Sequence, residues 1–360
     1  MAVPVTFGVE EEFFLVDPHT FEVVPRAAEV RAAVPPRLRQ YIHFELLSSQ
    51  IEIATSACSR AVELRDALSE LRTALTAAAA SVGCRVLAAG TAPLPCAQLP
   101  PLAGDGRYAH IADRFGALTQ IQGVCACHVH VGVENPDRAV AVGNLLRTQL
   151  PLLLAISGNS PFADGRDTGY ASWRSVLVDR WPTGGAPPWL GSAAEFDALT
   201  SAITATGAML DPGMLYWYVR PSPSHPTVET RISDVCLTVD DTMLLALLVR
   251  ASVLSGMRAP LTHDHVLRGA IWRAARGGFD EPMFDIRHET EVSPGEALLA
   301  LVDALTPTLD RLGDLAEVHR LVALVRKHGA GASRQRREYA SAASLRAVSA
   351  YVAEQTTAGI

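Results

Sequence analysis

The sequence predicts an α+β fold in which one antiparallel sheet is backed by helices. Strand-like runs rich in β-branched and aromatic residues occur at 5–16, 42–54, 85–91, 123–133 and 226–235, and long excursions separate them. Between and after these runs, apolar residues recur at helical spacing. No internal repeat or low-complexity linker divides the chain, and at 360 residues it can bury a large core as one domain or as two smaller ones.

The elements follow in order. The first strand, 5–16, carries Glu10, Glu11 and Glu12 inside an otherwise apolar run. Ala61–Ser81 places leucines at 64, 68, 71 and 75, the stripe of an amphipathic helix. Asn135-Pro136-Asp137 opens a second helix running to Gln149, with Asn135 as its N-cap. Gly165–Gly191, dense in Trp, Pro and Gly, reads as a long ordered loop over a site. Thr238–Gly256 is a strongly apolar helix with Asp240 and Asp241 in its first turn, where the helix dipole favours acid. From about Pro294 the tail is helical, broken at His328-Gly329-Ala330-Gly331.

Composition narrows the function. Nearly half the residues are apolar and 19% are charged, which excludes a disordered or collagen-like chain. A net charge of −7 without a basic stripe argues against a nucleic-acid partner. Lys327 is the only lysine and His328 follows it, so there is no P-loop. Any anion clamp must be made of arginines, which suits bidentate binding. The N-terminus has neither the basic start nor the apolar run of a signal peptide. The apolar stretches Leu150–Ile156 and Met243–Leu254 are too short or carry Arg250, so no membrane span or membrane partner is expected. Six irregularly spaced cysteines point to reduced thiols and a cytoplasmic location.

Four constellations carry chemistry. Alternation sets Glu10 and Glu12 on one face of the first strand, ~7 Å apart, and Glu11 on the other. Paired carboxylates cost several kcal/mol each to bury, so a divalent metal or an arginine cluster is expected beside them. Glu11, pointing away, should tolerate substitution far better than its neighbours. In Gln50-Ile51-Glu52-Ile53-Ala54 the isoleucines point to the core and Glu52 to the other face. Glu45 joins that face only if the chain turns at Ser48-Ser49; otherwise Glu45 and Glu52 are solvent-facing residues of a half-exposed strand. In Cys125-Ala126-Cys127-His128-Val129-His130, alternation sends the cysteines to the core and both histidines to the opposite face, which argues against Cys/His zinc.

Thr227, Glu229, Arg231 and Ser233 share the last face, where Glu229 and Arg231 could equally be a plain salt bridge. The tail run Arg334-Gln335-Arg336-Arg337 reads as a solvated helix face. Together these strands would gather Glu10, Glu12, Glu45, Glu52, His128 and Glu229, too many acids for one metal and a donor set for Mg²⁺ or Mn²⁺. Two such ions beside arginines are the usual equipment for phosphoryl transfer.

At these residues the chain resembles the bacterial glutamate–cysteine ligase type 2 family, ATP-dependent carboxylate–amine ligases of the glutamine synthetase-like superfamily. The matching strings include Gly8-Val9-Glu10-Glu11-Glu12, Gln50-Ile51-Glu52-Ile53-Ala54-Thr55, His128-Val129-His130-Val131-Gly132, Ala171-Ser172-Trp173-Arg174, Val219-Arg220-Pro221-Ser222-Pro223, Thr227-Val228-Glu229-Thr230-Arg231, Trp272-Arg273-Ala274-Ala275-Arg276-Gly277 and Gly331-Ala332-Ser333-Arg334-Gln335-Arg336. Their order and spacing make the match specific. Glu45 stands where relatives often carry Asp, and Pro226 where they often carry Gly.

The resemblance implies a curved antiparallel sheet forming a funnel flanked by helices, in a single catalytic domain over 1–360. It implies metal ligation by Glu10, Glu12, Glu45, Glu52, His128 and Glu229, with Mg²⁺ or alternatively Mn²⁺. Arg231 looks like the arginine that meets the nucleotide's phosphate, and Arg174 like the loop arginine that meets the substrate carboxylate or the transferred phosphate. His130 is similar to a substrate-pocket residue and Arg276 to a nucleotide-side arginine. The implied reaction joins a small-molecule carboxylate, such as glutamate, to an amine, such as cysteine, through an acyl phosphate made from ATP, in a homo-oligomer. Two other readings of the residues stay open here: a two-metal amidohydrolase, and a non-catalytic descendant that binds nucleotide or metabolite.

Overall fold

A computed structural model of the chain describes residues 5–103 and 106–358. In chain order the strands are β1 (Phe7–Val16), β2 (Ile42–Phe44), β3 (Gln50–Ala54), β4 (Arg85–Leu87), β5 (Ala126–Gly132), β6 (Phe162–Ala163), β7 (Arg166–Asp167), β8 (Val219–Pro221), β9 (Thr227–Asp234), β10 (Met283–Asp285) and β11 (Thr290–Val292). The helices are α1 (Ala27–Ala33), α2 (Ala61–Ser81), α3 (Gly106–Phe115), α4 (Pro136–Ser157), α5 (Trp173–Val178), α6 (Ala193–Ala205), α7 (Val239–Leu254), α8 (Asp264–Gly277), α9 (Pro294–Leu312), α10 (Leu315–His328), α11 (Gly331–Ala342) and α12 (Leu345–Gln355).

Seven strands form one antiparallel sheet in the order β2–β3–β1–β5–β9–β8, and β4 joins β1 beyond the end of β5. The alternation is sharp. Val9, Ile51, Ile53, Cys127, Val129, Val131, Val228 and Ile232 are all buried, and helices cover that face. Under β1, β5 and β9 lie leucines of α4 and α7 together with α8, α9 and α10. Under β1 and β3 lie α1, α2 and α12. Each such side chain removed from water contributes about 1.5–3 kcal/mol, so the helical face sets the register of every strand.

Local signals place several ends. The Asn135 side chain accepts the Arg138 N–H at 2.9 Å, and Thr238 with Asp241 forms a reciprocal capping box on α7. Three expectations change. The 42–54 run splits into β2 and β3 around a turn closed by the Gln50 N–H to the Leu47 carbonyl. β8 was not foreseen; it is a three-residue edge strand ending in Pro221, where a missing N–H costs nothing. The 165–191 segment holds β7 and α5, so it is not a plain loop.

Helix α4 continues through Pro151 to Ser157, which makes it long and apolar enough to cross a bilayer by composition. However, 89% of its most apolar window is buried inside the fold, against the sheet and α8. It is a core helix.

Glu11 departs from its expectation. It does point away from Glu10 and Glu12, yet it is fully buried. Arg72 of α2 grips it with two bonds of 2.8 and 2.6 Å, and the Thr242 hydroxyl donates at 2.6 Å. Arg72 also donates to the carbonyls of Cys236 and Thr356, tying sheet, α2, α7 and the C-terminus together. The tail run is no solvated face either. Arg334 pairs with Asp241 at 2.5 Å, Arg336 with Asp167 at 2.8 Å, and buried Gln335 donates to Asn159 at 2.7 Å.

Candidate active site

The face of the sheet left open by the helices collects the acids. Register does this directly: Glu12 lies across from Glu52, Glu10 from His128, and His130 from Glu229. Glu45 arrives from the β2–β3 connection, through the turn at Ser48-Ser49. The donors separate into two triads, in each of which three ligand atoms lie within 4.8 Å of one another. One is Glu10, His128 and Glu229; the other is Glu12, Glu45 and Glu52. His128 bridges them, with Nδ1 at 3.1 Å from Glu10 and Nε2 at 3.8 Å from Glu12.

The triads differ in electrostatics. The first is matched by cations. Glu229 accepts from Arg220 at 3.0 Å and pairs with Arg231, whose guanidinium also reaches His128 at 3.5 Å. Burial pushes Glu229 up, but Arg231 and Arg220 override it and hold the carboxyl below the usual range. Glu10 behaves alike, burial being outweighed by its bonds to His128 and His130. Burial and the nearby Arg231 push His128 down to about 4, so its imidazole is neutral.

In the second triad no basic side chain among the described residues pairs with Glu45 or Glu52. Burial and the Glu12 charge push Glu45 up to about 7, and burial with the charges of Glu10 and Glu45 drives Glu52 well above its ordinary value. Burial raises Glu12 also, against the opposing pull of Arg174. Thus the shortage of positive charge sits at Glu12, Glu45 and Glu52. Buried Nε2 of His128 lacks a hydrogen-bond partner among the described residues. An oxygen-rich set with one free imidazole nitrogen and a charge deficit fits a hard divalent cation.

A bulge aims the arginines. The pairing of β5 with β9 shifts between Cys127 and Val129, so β9 carries one extra residue at Arg231-Ile232. Arg231 therefore stays on the open face, Ser233 comes opposite Cys127, and Asp234 comes opposite Ala126. The expectation that Ser233 shares the Glu229 face fails for this reason. Arg174, in the first turn of α5, clamps the bulge by donating to the Ile232 and Arg231 carbonyls at 3.0 and 3.1 Å. Asp234 anchors that helix by accepting from Asn159 N–H and from the Ser160 and Ser172 hydroxyls at 2.7–2.8 Å.

Two cavities flank the acids. One, of about 540 Å³, runs from Glu10 and His130 past Gly8 and Gly132 to Pro226. The other, of about 210 Å³, is walled by Glu12, Glu45, Arg174, Arg231, Tyr108 and Tyr216. His130 accompanies the first, its Nδ1 at 3.0 Å from the Thr227 hydroxyl. Arg276 joins neither: it sits in the last turn of α8, half-exposed, over Tyr170 and 4.0 Å from Glu281. Sequence reasoning missed Arg220, Asp234 and the Arg107–Tyr108 wall. Only Arg220 had a usable signal, an arginine on the strand segment just before Glu229.

The six cysteines are free thiols. Cys127 is buried on the covered face, and Cys125 is buried just before β5 with its Sγ 3.5 Å from the Gln50 side chain. Burial pushes the Cys125 thiol well up, and contact with Cys236 together with burial does the same for Cys127, which disfavours the thiolate in both.

Comparison with known proteins agrees with this architecture. The family model described as Glutamate-cysteine ligase family 2 (GCS2) matches residues 6–352. A protein of Salinispora arenicola, provisionally named glutamate–cysteine ligase 2, is 43% identical over 359 residues, 98% of this chain and 95% of its own. One from Mycolicibacterium smegmatis, provisionally named glutamate–cysteine ligase 2-3, is 45% identical over 346 residues, 93% of each chain. Among solved structures, the glutamate–cysteine ligase of Francisella tularensis in complex with AMP has a TM-score of 0.72 at 14% identity, covering 99% of this chain and 89% of its own. The bifunctional glutathione synthetase of Pasteurella multocida has a TM-score of 0.71 at 14% identity, covering 98% of this chain and 52% of its own. At such identities the structural likeness speaks to the fold.

Proposed function

The chain belongs to glutamate–cysteine ligase family 2, and from that premise we propose that it is an ATP-dependent carboxylate–amine ligase acting at the open face of the sheet. One observation carries the site assignment: six donors in two triads, one of them short of positive charge, lie between two cavities. Glu10, His128 and Glu229 would hold one Mg²⁺, and Glu12, Glu45 and Glu52 a second, with Mn²⁺ a workable substitute. Such ions neutralise polyphosphate charge and polarise the transferred phosphoryl group.

In this reading ATP occupies the larger cavity beside Glu10 and His130, and the carboxylate substrate lies in the smaller one beside Arg174. The substrate carboxylate attacks the γ-phosphorus, the bond to ADP breaks, and an acyl phosphate forms. The amine then attacks the acyl carbon, phosphate leaves, and the amine's surplus proton passes to solvent. No side-chain nucleophile is needed, so the protein's work is positioning and charge stabilisation. Arg231, held by Glu229, meets the charge of the transferred phosphate. Arg174 lines the substrate cavity, its buried Nε is without a hydrogen-bond partner among the described residues, and its other nitrogens hold the bulge. Arg276 lines neither cavity, and in this reading it takes no part in the reaction.

Glutamate and cysteine are the first substrates to test, in a single catalytic domain over 1–360 working as a cytoplasmic homo-oligomer. The decisive assay is ADP release from Mg-ATP with a carboxylate and an amine together. Amine-dependent release supports the ligase reading. Its absence across a wide panel overturns it.

A further inference from the structure

A third cavity, of about 360 Å³, lies beside the smaller one and shares Ile121 and Gly123 with it as a common lip. Helix α5 and the turn after it form the partition. Arg174, Val178 and Trp181 line the substrate side, whereas Trp173, Leu177 and Arg180 line the far side, each set at i, i+4, i+7 spacing. The far cavity carries two arginines, Arg166 and Arg180, and neither guanidinium makes an ion pair or hydrogen bond among the described residues. Among the described residues its one acid is Asp164, engaged by the Gln122 side chain at 2.6 Å.

Both arginine side chains are exposed at the cavity's edge, and turns hold their backbones. Arg166 follows a tight hairpin whose Asp164 and Gly165 both have positive φ, and the Gly165 N–H donates to the Pro93 carbonyl at 3.0 Å. Arg180 sits in the turn that closes α5, its own N–H bonded to the Leu177 carbonyl.

We propose that this cavity binds the acidic end of the amine substrate, and that the amine is a short peptide. The inference rests on the ligase reading above. Two guanidiniums without partners among the described residues, lining one cavity with Trp173, suit a carboxylate. The cavities lie on opposite sides of a helical turn about 10 Å across. One amino acid is too short to bridge that from its nitrogen to its carboxylate, whereas each further extended residue adds about 3.3 Å. The peptide's amine reaches the acyl phosphate beside Arg174 while its chain crosses the Ile121–Gly123 lip.

The test is steady-state ADP release with cysteine, cysteinylglycine, cysteinylglycylglycine and the amide of that tripeptide, on wild type and on Arg166→Gln/Arg180→Gln. The wild type should prefer the tripeptide acid to its amide by about tenfold in kcat/KM, and to cysteine by at least as much. The double variant should lose the acid-over-amide preference through KM, with KM for ATP unchanged. Turnover with equal use of acid and amide, or a preference that the variant keeps, overturns the peptide subsite alone. No amine-dependent ADP release from the wild type with any of the four, in a protein that also fails a wider amine panel, overturns the ligase reading and the subsite with it.

Discussion

Glu11 and Glu12 are neighbours with opposite jobs. Glu11 satisfies a buried arginine that itself holds carbonyls from distant segments, so Glu11→Ala should cost about 3–5 kcal/mol by stranding that charge. Urea unfolding measures this; a loss below 1 kcal/mol would show the pair is dispensable. Glu12→Gln and Glu52→Gln remove crowded, poorly compensated carboxylates, and should leave the fold intact while abolishing turnover. Glu45 adds a pH signature. Its folded pKa of about 7 stands above the ordinary 4.5, so between those values the folded state holds the extra proton. Stability of the cation-free protein therefore falls as pH rises through that window. Mg²⁺ relieves the repulsion only when the carboxylates are ionised, so it should raise Tm more at pH 8 than at pH 5.5. Equal shifts at both pH values would argue against a cation between these acids.

At the level of elements, the bulge in β9 and the short helix α5 act as one device. The extra residue keeps Arg231 on the open face, and Arg174 locks it by bonding both bulge carbonyls. Lysine keeps the charge but not the planar fork. Arg174→Lys should therefore lower kcat about 100-fold, the penalty expected of an ångström-scale misplacement, with little change in Tm. A kcat within twofold of wild type would assign the clamp a minor role. The same helix divides two cavities, so its two faces separate the reacting end of a substrate from its recognition end.

Across the whole molecule, the C-terminal helices close the structure. Val348 and Val352 of α12 complete the core under β1 and β3, and the Thr356 carbonyl and hydroxyl meet Arg72 and the Ala88 N–H. Truncation after Ala343 should expose that core and leave Arg72 short of an acceptor. The expected result is a protein several kcal/mol less stable and rapidly cut by protease. Resistance equal to the full chain would mean the core closes without α12. Family placement also separates the readings that residues left open: a ligase accounts for the acid face, and hydrolysis needs no separate invocation.

Alternation was enough to read which side of β1, β3 and β5 carries acids and histidines, because strand period and a covered face leave each residue only two directions. Helix α2 and the caps of α4 and α7 were legible for the same local reason. Motif order carried the family. What local rules could not supply was the company each residue keeps. Glu11 looked free because its partner Arg72 lies 61 positions away. The tail arginines looked solvated because Asp241 and Asp167 are brought to them only by packing. The bulge, the split of six donors into two triads, and the Asp234 anchor all depend on strands and loops meeting across the chain. Their energies come from burial and pairing, which exist only once the tertiary structure has formed.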